Sequence, residues 1–117
     1  MTWQREGDVT KVRFAGSLTN AELDQTKDCL AEAIGADFYS RPVVFDLSRV
    51  DYLDSCAIGW ILKRHRSCKE QGGKLVLQSP SPLVRKLLSM LKIEKVVAVA
   101  DDAKQADALC GTGGGVA

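Results

Sequence analysis

The chain is 117 residues long, 45% hydrophobic and 26% charged, with a formal net charge of +1. Such a length buries one core and hardly two, and so small a net charge excludes bulk electrostatic attachment to nucleic acid. Cys29, Cys56, Cys68 and Cys110 are widely spaced, form no C-x-x-C pair and accompany a single histidine, His65, which argues against a zinc site and implies no cofactor.

Thr2 to Glu6 and Val9 to Ala15 read as short strands, the second alternating Val12 and Phe14 with Lys11 and Arg13. The turn Glu6-Gly7-Asp8 joins them as a hairpin. Thr19 or Asn20 caps a predicted helix to about Ala33, with Leu23, Thr26, Leu30 and Ala33 or Ile34 at helical spacing and Gly35 closing it. Pro42 to Leu47 is the next strand, its apolar run Val43-Val44-Phe45 being of the kind buried on both faces. A helix starts at Ser55 and ends near Gln71-Gly72-Gly73, and Leu75 to Leu77 is a strand. Pro82 opens a helix at its favoured first-turn position, with Leu83, Leu87, Leu88 and Leu91 as its buried stripe. Val96 to Val99 is the last strand, and Asp101 and Asp102 start a final helix to about Leu109. The segment 111–117, GTGGGVA, reads as a disordered tail. This alternation predicts one α/β domain over residues 1–110, a mixed, mostly parallel sheet of about five strands with about four helices and an N-terminal hairpin.

The loop expected between the Pro42 strand and the Ser55 helix carries Asp46, Asp51, Asp54 and Ser55. That is the sheet edge where open α/β folds place their working residues. Ser55 admits two readings. As an N-cap its hydroxyl would accept from an orphan N–H and contribute ~1 kcal/mol, which on residue type alone is the commoner role. As an exposed hydroxyl at a helix N-terminus it would be a well-tolerated place for a phosphate, favoured by free N–H groups and the helix dipole, with Asp54 opposing it by like charge.

Asp46-Leu47-Ser48 followed by Leu53-Asp54-Ser55-Cys56-Ala57-Ile58-Gly59 resembles the D-L-S and hydrophobic-D-S-S/T-G-L-G signature of STAS domains, the anti-sigma factor antagonists of bacteria. Gly16-Ser17-Leu18 resembles the family's G-E-L step and Gly72-Gly73-Lys74-Leu75 its G-G-x-L approach to the next strand. Ser79-Pro80-Ser81-Pro82-Leu83-Val84 is similar to the turn and helix that follow, so the resemblance runs from about Trp3 to Leu109. It implies a non-enzymatic regulatory module that binds an anti-sigma factor or a GHKL-type serine kinase, with Ser55 in the place of the phosphorylated serine. Asp54, Ser55, Cys56, Ala57, Trp60 and Thr19 are the expected partner-binding residues. Cys56 and Ala57 stand where the family has Ser/Thr and Gly, and Thr19 where many phosphorylatable members have an aspartate. The other binding reading is a docking subunit of a lipid-transport ATPase that is never phosphorylated.

Within the Ser55 helix, Ala57, Ile58, Ile61, Leu62, His65 and Cys68 are expected toward the sheet, and Lys63, Arg64, Arg66, Lys69 and Glu70 toward water. Trp60 fits neither group: it is either a half-exposed anchor for a protein contact or a cover over the edge of the core with its indole N–H in water. Cys56 as a nucleophile or redox thiol ranks last among the functional readings, because no base stands at recognisable spacing. With no signal peptide and no long apolar span, a reduced, cytoplasmic protein without membrane insertion is expected. Charge is uneven: Lys63 to Lys95 holds nine Lys/Arg against Glu70 and Glu94, whereas Met1 to Leu62 holds six basic residues against ten acids. Oligomeric state is left open by the sequence.

Overall fold

The computed structural model describes residues 2–6, 9–18, 35 and 39–110. Five strands form one sheet in chain order: β1 (Thr2–Glu6), β2 (Val9–Leu18), β3 (Pro42–Leu53), β4 (Lys74–Gln78) and β5 (Ala98–Ala100). β1 pairs antiparallel with β2, Thr2 opposite Arg13 and Glu6 opposite Val9, and every other pairing is parallel. The α/β class, the mixed sheet and the N-terminal hairpin are therefore as expected. Three α-helices are described: α1 (Ser55–Gln71), α2 (Pro82–Met90) and α3 (Ala103–Cys110), with a short 3-10 turn at Ile93–Lys95. The predicted helix from Thr19 or Asn20 to Ala33, with Cys29, lies outside the described residues, as does the glycine-rich tail.

Strand alternation divides the core in two. Val43, Phe45 and Leu47 of β3 and Leu75 and Leu77 of β4 meet Ala57, Trp60, Ile61 and Cys68 of α1 and Val84 and Leu88 of α2. Val44 and Val76 point to the other face, where they pack with Val9, Ala100 and Ala106 of α3. α1 joins β3 to β4 and α2 lies between β4 and β5, and both pack into the first of these clusters, whereas α3, after the last strand, packs into the second.

Two strands are longer than the sequence suggests. β2 runs to Leu18 through shifts of register after Arg13 and after Gly16, and Gly16 has a φ of 80° at the second shift, where a side chain would be strained. β3 continues to Leu53, pairing Arg49 to Leu53 with β2 alone, past the point where β4 ends at Gln78. Residues expected in a loop are thus strand. Asp46 sits within β3 with 9% of its surface exposed, accepting from Arg13 Nε at 3.3 Å and from the Ser48 N–H at 2.9 Å.

α1 ends as expected. Gly72 adopts a left-handed φ of 85°, its N–H meets Lys69 O and the Gly73 N–H donates to Cys68 O at 2.8 Å, which satisfies the last carbonyls of the helix. Gly73 is required by contact: a Cβ there would collide with Tyr39 O and lie 2.6 Å from Arg41 O.

Candidate functional site

The start of α1 is fixed from three directions. The Asp54 N–H donates to Leu18 O at 3.2 Å, which ties the turn to the end of β2. Asp54 has extended backbone (φ −94°, ψ 177°), and its Oδ1 accepts the Ala57 N–H at 2.8 Å. Asp54 is therefore the N-cap, and Ser55 is the first helical residue. Ser55 is exposed, and among the described residues its hydroxyl takes part in no hydrogen bond. An aspartate immediately before the serine outcompetes it for the cap, because a carboxylate is the stronger acceptor for an orphan N–H at the positive end of a helix.

The third support lies beneath the helix. Trp60 stacks on Phe45 (centroids 5.8 Å apart, planes at 22°) and meets Phe14 edge-on at 6.0 Å. Phe14 and Phe45 are themselves edge to face at 5.1 Å. Trp60 is 1% exposed and its Nε1 has no hydrogen-bond partner among the described residues. Neither expectation for Trp60 holds: it is not a half-exposed anchor, and its indole N–H does not reach water. Arg64 lies over the indole with Cζ 5.3 Å from the ring centre and is 8% exposed, where the sequence placed it in water. Its planar cation stacks on the ring face while its stem covers the aromatic cluster. The buried side of α1 is consequently Ala57, Ile58, Trp60, Ile61, Arg64 and Cys68, rotated toward β2 from the expected side. Leu62 and His65 are half-buried at its margin, and burial, then the charge of Lys69, lowers the imidazole pKa from its ordinary value.

Of the residues singled out from sequence, the structure brings Asp54, Ser55 and Cys56 together at one accessible corner, Cys56 being half-buried. Ala57 is fully buried and contributes its N–H to the cap; its side chain cannot touch a partner. Thr19 lies outside the described residues. Asp46 is not at this corner: it faces away from α1 and lines a cavity of about 200 Å³ on the opposite face with Thr2, Gln4, Lys11, Arg13 and Gln78. Asp51 is exposed on the β3 extension. Residue type alone does not mark Arg64 as part of what holds α1 in place, since a charge is read toward water unless an aromatic partner one turn away is weighed with it.

The STAS domain family model matches residues 1–106. The chain belongs to the STAS domain family. An anti-sigma F factor antagonist of Paenibacillus polymyxa is 28% identical over 94 residues, 80% of this chain and 80% of that protein. Among solved structures, a candidate anti-sigma factor antagonist from Thermotoga maritima superposes with a TM-score of 0.81 at 23% identity, covering 93% of this STAS domain and 92% of that chain. The Bacillus protein SpoIIAA superposes in its unphosphorylated form with a TM-score of 0.64, covering 92% of this chain and 94% of that one, and in its phosphorylated form with 0.62, covering 92% and 99%, each at 22% identity. These likenesses establish a shared fold.

Proposed function

We propose that this STAS domain is an anti-sigma factor antagonist, a cytoplasmic binding module without catalysis of its own. It docks an anti-sigma factor or GHKL-type serine kinase at the corner formed by Asp54, Ser55 and Cys56, and phosphorylation of Ser55 releases that partner. The observation that supports this most is the division of labour at the helix start: Asp54 does the capping, which leaves the Ser55 hydroxyl exposed and without structural duty. Relatives matched over most of their length are anti-sigma F factor antagonists, and one protein of the same fold, SpoIIAA, exists in phosphorylated and unphosphorylated forms.

The physics of the switch is local. A phosphate on Ser55 adds a charge of about −1.5 to −2 at a helix N-terminus, where the dipole tolerates it and α1 need not unfold. The first turn holds no acid, so repulsion within the domain comes chiefly from the adjacent Asp54. Against a partner the outcome reverses, since burying that charge in a packed interface costs several kcal/mol, on the order of a hundredfold or more in affinity.

The test is a pull-down from native lysate with wild type, Ser55→Ala and Ser55→Asp. Retention of a GHKL-type kinase or anti-sigma factor by wild type and Ser55→Ala, with loss by Ser55→Asp, is expected. Retention of one and the same partner by all three, a transporter ATPase for instance, would show that Ser55 does not gate docking.

A further inference from the structure

Four of the large hydrophobic side chains that the described chain leaves exposed fall in one stretch of fourteen residues: Leu83 (50% exposed), Met90 (68%), Leu91 (54%) and Val96 (55%). Helical spacing explains the pattern. Leu83, Leu87 and Met90 stand at i, i+4 and i+7, one above another along α2, whereas only Val84 and Leu88 turn fully into the core. Lys92, in left-handed conformation with φ 57°, turns the chain at the end of α2, so that Ile93 is buried while Lys92, Lys95 and Val96 face outward. Lys86, Lys92 and Lys95 are exposed and make no ion pair among the described residues; Glu94, the one acid in the stretch, accepts from Ser89 Oγ at 3.3 Å. Arg85, on the other flank, is held by Asp101 at 2.6 Å.

We infer that this face of α2 and the turn after it is a docking surface for an anionic phospholipid bilayer, on which α2 lies in the plane of the headgroups. Leucine, methionine and valine would enter the acyl boundary while the three lysines meet lipid phosphates. The charge names an anionic counterpart, and the composition favours lipid over protein. The patch has no tryptophan, tyrosine or free arginine of the kind that anchors protein interfaces, and its lysines are compact ammonium groups suited to a diffuse negative surface. It also lies on a convex helix, whereas the 200 Å³ cavity belongs to the opposite face of the sheet. Such docking is peripheral, and no helix among the described residues is long and apolar enough to cross a membrane. The inference does not depend on the role of Ser55.

The test is co-sedimentation of the full chain with vesicles of phosphatidylcholine alone or mixed with phosphatidylglycerol, in low and high salt. Wild type is expected to bind the mixed vesicles and not the neutral ones, and to be released by salt. The triple variant Lys86→Glu/Lys92→Glu/Lys95→Glu should lower the partition coefficient about 100-fold, since each lysine near the surface contributes roughly a factor of five. Met90→Ser/Leu91→Ser should weaken binding at least about fivefold with the charge intact. Arg5→Glu/Lys74→Glu/Lys104→Glu makes the same change in net charge elsewhere on the exposed surface and should retain most of the binding. All these positions are exposed, so far-UV circular dichroism should report an unchanged fold. Absence of binding to mixed vesicles, equal binding to neutral ones, or equal loss in both triple variants overturns the inference. So does retention of an acidic protein by this face without any vesicle binding.

Discussion

Helices α1 and α2 both leave the sheet through an extended residue with a serine at hand, yet they use that serine in opposite ways. At α2, Ser81 is the cap: its Oγ accepts the Val84 N–H at 3.5 Å and donates to Val50 O at 3.1 Å, which stitches the helix start to the extended part of β3. Pro82 follows at the first helical position. At α1 the cap is Asp54, the serine comes one residue later, and its hydroxyl points to solvent. The helices differ below the surface as well. α1 is anchored by Trp60 among Phe14, Phe45 and Arg64, whereas α2 buries Val84 and Leu88 and leaves half of its apolar arc uncovered. One helix is anchored from beneath and leaves its serine hydroxyl exposed and, among the described residues, without a hydrogen bond; the other spends its hydroxyl on structure and leaves apolar surface exposed.

The largest way to break this contrast is Trp60→Ala. Emptying the centre of the aromatic cluster should cost about 3–5 kcal/mol and lower the midpoint of thermal unfolding by more than any substitution at a helix start. Replacing a capping residue comes next. Ser81→Ala loses the cap and the bond to Val50 O and should cost about 1–2 kcal/mol, and Asp54→Ala, which loses the cap of α1, about 1 kcal/mol or more, both read by urea unfolding. Ser55→Ala should change stability by less than about 0.5 kcal/mol, because among the described residues its hydroxyl makes no hydrogen bond to lose. Ser55→Pro sharpens the point: the extended ψ of 177° at Asp54 already suits a following proline, and proline is favoured at this first position. It should fold normally and remove the hydroxyl proposed to accept phosphate.

The smallest expected effect concerns His65. Its pKa is lowered in the fold, mainly by burial and next by Lys69, so the unfolded chain binds the proton more tightly. The stabilising preference for neutral imidazole is then fully present above the unfolded pKa and lost as pH falls through the lower, folded value. Wild type should lose stability slightly on acidification below about pH 6.5, and His65→Gln should flatten that part of the profile.

Much of this was legible in the sequence for identifiable reasons. The apolar run at Val43 to Phe45, the Gly72-Gly73 stop and the Ser81-Pro82 start each have one local solution, and the structure adopts it. The failures came where a tertiary partner decides. Asp51 reads as loop because acids punctuate strands, yet the long β2 carries β3 on through it, and Asp46, at the boundary between the expected strand and the expected loop, is held within β3 by Arg13. Arg64 read as solvated because its stacking partner was not itself placed. Leu83 and Leu91 read as core because an apolar stripe predicts that something covers it, and among the described residues nothing fully does. The motif points to Asp54, Ser55 and Cys56 as the candidate corner, but which of two neighbours caps the helix is a question of geometry that residue type leaves open.

Site-resolved mass spectrometry of the chain after incubation with the serine kinase recovered by the pull-down tests the central claim most directly. Phosphate on the peptide carrying Ser55, with none on Ser81, is the predicted result, because only the first hydroxyl is exposed and unengaged. Phosphate on Ser81, or on any site while Ser55 stays unmodified, would contradict the assignment of Ser55 as the switch.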